Sequence, residues 1–327
     1  MLKRIVNHAR IDLQIIPLDP LLIKSGQATV GGVDMSFVRT YRFGEEDQPF
    51  IPGSSLKGVF RSYAEKICRS LREDAVPVCL PYVEPGKEQD GEKNQASCGL
   101  QFERYKKDRN GNAIPTPDVY RLSCPVCRLF GSHGFIGRFA ASDAYLSKKE
   151  NKTVKYSFEI RDGVAIDRFT GGVAQGPFDL EVLSQGDFST SLEIRNFERW
   201  QLGLVGLVLR DMEEGFVRIG FGKSRGLGRI KAAVTRFTIS YYNRDVKTLL
   251  GLFGLCSEPE CKSYGFYLEG TSRAAFWPAP LINGIRRDHD VTERWKEVLA
   301  PAVDDLVGYV GAVNWPQALM QYTERRA

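Results

Sequence analysis

The chain has 327 residues, 43% of them hydrophobic, with 45 basic and 40 acidic side chains and a formal net charge of +5. That is enough apolar content to bury a real core, which excludes a disordered protein, and no run approaches the roughly 18 to 20 apolar residues of a membrane span. The amino terminus, MLKRIVNHARIDLQ, lacks the apolar segment of a secretory leader, so a cytoplasmic protein is expected.

Alternation in RIDLQIIPL, residues 10–18, predicts a strand with Leu13 and Ile15 on one face. In the following QATVGGVDMSFVR, Asp34 is the sole carboxylate between Asp19 and Glu45, and by composition an Asp after two glycines is a turn former. PFIPGSSLKGVFRSYAEKICRSLRED predicts a helix capped by Ser54 or Ser55, with Leu56, Val59, Phe60, Tyr63, Ile67 and Leu71 at helical spacing. Residues 76–117 are polar and rich in Pro, Gly, Lys and Glu, as an insertion would be. GRFAASDAYLS predicts a strand, and residues 148–177, with the glycine-rich FTGGVAQGP, a projecting hairpin or loop. FDLEVLSQGDFSTSLEIRNF reads as extended, and ERWQLGLVGLVLRDMEEG as a second helix burying Leu204, Val208 and Met212. FVRIGF and GRIKAAVTRFTISYY then predict two strands joined by GKSRGL, and a further helix is expected at about 291–309. This order matches an α+β, ferredoxin-like split βαβ pattern: an antiparallel sheet with two helices on one face. The expected organisation is a core over 1–244, interrupted by insertions at about 76–130 and 148–177, and a mostly helical extension over 245–327 that docks on the core or on a neighbour.

Three features could carry chemistry. From Gly215 to Arg244 there is no acid, while Arg218, Lys223, Arg225, Arg229, Lys231, Arg236 and Arg244 supply seven positive charges, an electrostatic footprint for a polyanion. Within it, RIGFGKSRGLGRI is not a P-loop, because position 217 is Val, nor a dinucleotide fingerprint, because Arg225 stands where the third glycine belongs. A glycine-rich basic loop remains, whose amides can approach phosphates closely. The second feature is cysteine. Seven cysteines, an odd number, argue against a disulfide framework, and CPVC places Cys124 and Cys127 at knuckle spacing, with Cys79 and Cys98 upstream. Four such ligands would close the shell of a structural Zn2+, with His133 as an alternative to Cys79 or Cys98; Cys68 is expected to be buried on its helix, and Cys256 and Cys261 to be free thiols. The third is Asp34, for which composition alone leaves only the turn.

FIPGSSLKGVFRSYAE and GFGKSRGLGRI resemble the helix start and carboxy-terminal glycine-rich loop of the RAMP superfamily of CRISPR proteins. GGVDMSFVR, CPVCRLFGS, GRFAASDAY and IDRFTGGVAQGPFDLEV are similar, in that order, to the backbone subunit of type III effector complexes. The resemblance covers about residues 10 to 240. It implies a prokaryotic, RRM-type domain that polymerises along a CRISPR guide RNA, alongside other subunits and further copies of itself, with 148–177 as the thumb that interrupts the guide:target duplex. It further implies that Asp34 is the catalytic residue of single-stranded target RNA cleavage; Asp34 would either ligate a divalent metal, Mg2+ or Mn2+, or serve as the base, and the chemistry favours the metal because an aspartate is a weak base at neutral pH. Ser54, Ser55, Lys57, Arg61, Gly222, Lys223, Arg225 and Gly226 would hold guide phosphates, and Ile166, Arg168 and Phe169 would act from the thumb. Two other readings stay open: an inactive scaffold of the same complex, and a guide-processing endoribonuclease. The latter commonly needs a His, and only His8, His133 and His289 exist.

Overall fold

A computed structural model describes residues 2–26, 33–41, 47–73, 76–83, 96–104, 113–150, 152–276 and 278–326. The principal strands are β1 (Asn7–Pro17), β2 (Gln48–Ile51), β3 (Phe139–Ala141), β4 (Ala144–Leu146), β5 (Ser157–Ile166), β6 (Val173–Gln185), β7 (Phe188–Arg195), β8 (Ile230–Tyr242), β9 (Leu281–Asn283) and β10 (Arg286–Asp290). The principal helices are α1 (Gly53–Ser70), α2 (Cys98–Arg104), α3 (Thr116–Leu122), α4 (Pro125–Phe130), α5 (Arg199–Glu213) and α6 (Trp295–Ala312). The molecule is a mixed α/β structure around one large antiparallel sheet, ordered β9-β10-β8-β1-β7-β4-β2, with the short strand Arg39–Thr40 at the far edge and β3 also paired to β7.

β1 sits at the centre because its period-two pattern suits a sheet covered on one face: Ala9, Ile11, Leu13 and Ile15 are buried, and Arg10 and Asp12 lie on the open face. α1 starts where predicted but is not capped by serine. Pro52 holds the cap position, and the Gly53 N–H donates to Asp143 Oδ1 at 2.7 Å, while Ser54 and Ser55 stay exposed on the first turn. The helix start is pressed onto the sheet: a Cβ on Gly53 would lie 2.3 Å from the Ala141 carbonyl oxygen, so only glycine fits. Serving that helix end, Asp143 sits in the break that divides the single strand predicted for GRFAASDAYLS into β3 and β4.

α5 buries Leu204, Val208 and Met212 as expected, but also Trp200, Leu202, Val205 and Leu209 around its circumference. The reason is α6, which lies on the face expected to be outward. A Cβ on Gly203 would be 2.1 Å from the Ala302 carbonyl oxygen, so the two helices meet backbone to backbone at that glycine. β10 meanwhile pairs with β8, so residues beyond 244 extend the same sheet and cover the same core.

Two sequence expectations need correction, and the bounds of a third shift. FVRIGF forms no strand; it touches GRIKA through the single bridge Arg218–Arg229, because Gly220, Gly222, Gly226 and Gly228 all adopt positive φ and curl the segment into a loop. The insertion is not a polar satellite: among the described residues of the 76–117 stretch expected to be polar, Val78 and Phe102 join the core, and Val119, Tyr120, Leu122, Val126, Leu129 and Phe130 carry that core on to about 130. The segment 148–177 divides into a small hairpin, Lys148–Lys149 with Lys152–Thr153, and the long β5–β6 hairpin, whose return strand runs on to Gln185.

Candidate functional site

The outward face of α1 and the glycine-rich loop enclose a cleft of about 650 Å³. Ser55, Val59, Ser62 and Lys66 reach it because they recur at 4, 3 and 4 residues along one helix face. Lys24, Arg218, Phe221 and Lys223 face them. The loop is held open by backbone bonds to the segment after β1: Phe221 N–H donates to Leu22 O at 2.8 Å and Gly228 N–H to Pro20 O at 2.9 Å. A Cβ on Gly220 would lie 2.3 Å from Leu22 O, which is why that position is glycine. Lys24 and Arg225 both lie against the Phe221 ring, at 4.8 and 4.9 Å from its centre. Among the described residues no carboxylate lines the cleft.

The acid-free stretch 215–244 is therefore not one patch. Lys223 and Arg225 stand exposed on the loop, Arg218 and Arg229 share Asp19 at 3.3 Å each, and Arg236 lies on the open sheet face beside Arg10, Arg195 and Arg286. Of the residues expected to hold phosphates, Ser55 and Lys223 line the cleft, with Ser54, Arg225 and Gly226 exposed nearby. Gly222 makes the turn, and its carbonyl accepts the Arg225 N–H at 2.7 Å. Lys57 points off the cleft, half-buried, its ammonium drawn below the usual lysine range by burial and by Arg61. Arg61 turns the other way, toward the cysteines.

Asp34 lies beside the middle of the β5–β6 hairpin, where residues 33–39 run alongside β6; the preceding Gly31 and Gly32 lie outside the described residues. Its Oδ2 accepts the Asp179 N–H at 3.0 Å. Met35 then brackets β6, donating to Asp179 O and accepting from Glu181 N–H, both at 3.0 Å. Glu181 accepts the Phe37 N–H at 2.9 Å and grips Arg39 through both guanidinium ends, at 2.8 and 2.6 Å. That bonding holds the Glu181 carboxyl below the usual range. Asp162 is the register partner of Asp179 across the hairpin. The Asp179 carboxyl is raised by lost hydration, by its bond to Asp162, and by the charges of Asp162 and Asp34. These neighbours of Asp34 escaped sequence reasoning because they lie about 145 positions away and become adjacent only through hairpin register. At the tip, Ile166, Arg168 and Phe169 are exposed, and Asp167 accepts from Phe169 N–H and from both N–H and hydroxyl of Thr170.

Cys79, Cys98, Cys124 and Cys127 are buried, and their sulfurs lie within 4.8 Å of one another, a cluster that could hold a metal such as zinc. α4 begins at Cys124, whose sulfur accepts the Cys127 N–H at 3.5 Å, while Cys98 Sγ accepts the Cys124 N–H at 3.4 Å. His133 is exposed and stands outside the cluster, so among the described residues both Cys79 and Cys98 belong to it. Burial and crowding by neighbouring thiols push Cys98 up, while Cys79, accepting bonds from the other three, is pulled down. Four thiolates cannot share this space without a cation, which is the environment a divalent metal fits. Cys68 is buried on α1 as expected; Cys261 faces the carbonyls of Phe253 and Cys256, and all seven cysteines are free of disulfides.

The sequence model of the RAMP superfamily matches residues 15–231, a span that takes in α1, the cysteine cluster, the β5–β6 hairpin and the glycine-rich loop. The CRISPR system Cms endoribonuclease Csm3 of Methanocaldococcus jannaschii is 27% identical over 212 residues, covering 62% of this chain and 68% of that protein. With two thirds of its length matched by the family model, the chain belongs to the RAMP superfamily.

Proposed function

We propose that this chain is a guide-RNA-binding backbone subunit of a type III CRISPR effector complex that cleaves complementary single-stranded target RNA at Asp34. The observation that carries the reading is the placement of Asp34: an exposed carboxylate, bonded to the backbone of a long projecting hairpin, in a chain similar to an endoribonuclease of that system. The strand order β8-β1-β7-β4, with α1 and α5 as connections, is read as the ferredoxin-like core, and β5–β6 as the thumb.

In this reading guide phosphates enter the α1 cleft, meeting Ser54, Ser55, Lys66, Lys223 and Arg225 by charge and hydrogen bonding without reading bases. The exposed tip residues Ile166, Arg168 and Phe169 part the guide:target pairing, leaving one target nucleotide splayed beside the hairpin. Its 2′-hydroxyl can then line up with the adjacent phosphate, an arrangement a regular duplex disfavours. A divalent cation such as Mg2+ or Mn2+ would supply charge stabilisation at that phosphate. Asp34, Asp162 and Asp179 do not converge as the cysteines do, so they suit a cation arriving with the RNA better than a resident one. Asp34 would hold it, and the Glu181–Arg39 grip fixes where Asp34 stands.

The test is cleavage of labelled, guide-complementary RNA by the assembled complex, with and without magnesium, comparing wild type with Asp34→Ala. Magnesium-dependent cuts that vanish in the variant while target stays bound are expected. Cuts that persist in Asp34→Ala return that residue to a turn; no cuts from wild type leave a scaffold.

A further inference from the structure

The face of α1 that carries Arg61, Glu65 and Arg69 turns away from the RNA cleft and lies along the cysteine cluster. Arg61 Nη2 donates to Cys127 Sγ at 3.2 Å, and Nη1 donates to Gly131 O at 3.2 Å, just past the end of α4. Arg69 Nη2 donates to the Cys79 carbonyl at 3.3 Å. Between them Glu65 lies 3.4 Å from Arg61 and 3.8 Å from Arg69, keeping both arginines on the cluster side. Among the described residues the other bonds to these sulfurs from outside the thiols come from the backbone N–H groups of Cys98, Cys124 and Cys127, which are neutral.

We propose that Arg61 is the counter-charge of a metal–tetrathiolate centre, positioned by α1 to make that centre stable in a buried site. The inference rests on the reading of the four cysteines as a zinc site. A divalent cation with four thiolates carries a net charge of −2, and an unbalanced buried charge is costly. Arg61 and Arg69 with Glu65 bring a net +1 to that face, half of what the centre needs, and the Arg61 guanidinium withdraws electron density from the Cys127 thiolate through a charge-assisted hydrogen bond. α1 thus does two jobs with two faces: Ser55, Ser62 and Lys66 toward the cleft, Arg61 and Arg69 toward the metal-binding cluster. Arg61 is assigned to the second.

The experiment is zinc affinity by competition with a chromogenic chelator on the full chain, with cobalt substitution reporting thiolate-to-metal charge transfer. Arg61→Gln is expected to weaken zinc binding by about 10- to 100-fold, the range for groups supporting metal ligands. Arg61→Lys, which keeps the charge, is expected to recover most of that loss, and Lys66→Gln, on the cleft face, to leave zinc affinity unchanged. Wild-type affinity in Arg61→Gln, or a loss in Arg61→Lys as deep as in Arg61→Gln, would overturn the assignment while leaving the zinc site standing. A wild-type chain without a tetrathiolate cobalt spectrum would overturn the zinc reading and this inference together.

Discussion

Glu181 holds the Asp34 segment in place: one carboxylate takes the Phe37 N–H and both ends of the Arg39 guanidinium, and that guanidinium lies 4.4 Å from the centre of the Phe158 ring. Charge-assisted bonds of this kind are worth about 1.5 to 3 kcal/mol when a partner is removed. Glu181→Gln is therefore expected to lower target cleavage while leaving guide binding in the α1 cleft intact, as measured by single-turnover rates beside filter binding. The same grip has a pH signature. Its folded pKa is depressed, so its contribution is fully present above the unfolded value near about 4.3 and is lost as pH falls through the lower folded value. Protection of the Phe37 amide, its exchange rate relative to that of an unstructured amide at the same pH, should hold down to about pH 4.3 and fall below it, in step with protonation of Glu181. Protection that persists at still lower pH would show that the segment is held by something else.

At the scale of elements, two glycines in helices make opposite predictions. Gly203 of α5 touches the α6 backbone, and a Cβ there would sit 2.1 Å from Ala302 O, which neither helix can relieve without moving. Gly203→Ala is expected to destabilise by about 1 to 3 kcal/mol or more through overpacking, read as a lower thermal midpoint. Gly58 of α1 has open space where its Cβ would go, so Gly58→Ala is expected to stabilise by about 0.5 to 1 kcal/mol from backbone entropy and propensity. Equal shifts for both would refute the close α5–α6 contact. That contact is reinforced by Arg199 at the start of α5, which bonds Asp305 of α6 at 2.5 and 2.8 Å in a buried, two-pronged pair. Such a pair is strongly destabilising to break from one side, because the remaining charge stays buried.

For the whole molecule, RNA binding and metal loading are the quantities to measure. Lys24, Lys66, Lys223 and Arg225 are gathered at the cleft beside Arg218, which Asp19 already pairs. Neutralising about four phosphates of a single strand predicts a slope of log affinity against log salt near about −3. A slope near zero would remove the cleft as the guide site. Chelation is expected to release the insertion, since α2 and α4 both contribute ligands and the segment's buried residues rely on the same corner. Four cysteines should then become reactive toward a thiol reagent, with a lower thermal midpoint that returns on adding zinc.

Much of this molecule was legible in its sequence. The period-two pattern of β1, the helical spacing of α1 and α5 and the CPVC knuckle are local signals, and each appears where its residues predict. The same chemistry explains why the glycine-rich segment reads as a loop while the strand expected for FVRIGF does not form: positive φ at Gly220, and then at Gly222, Gly226 and Gly228, curls the chain where its alternation would continue. What only the tertiary structure decided is non-local. Asp143 replacing the serine cap of α1, Asp179 beside Asp34, Arg61 on a cysteine sulfur and α6 on the second face of α5 join residues between about 66 and 145 positions apart, or across separate elements. Local propensity cannot encode such partners, because a carboxylate or guanidinium looks the same in sequence whether it meets water, a helix end or a thiolate. The neighbour is chosen by sheet register and helix packing, and it is the neighbour that decides the role.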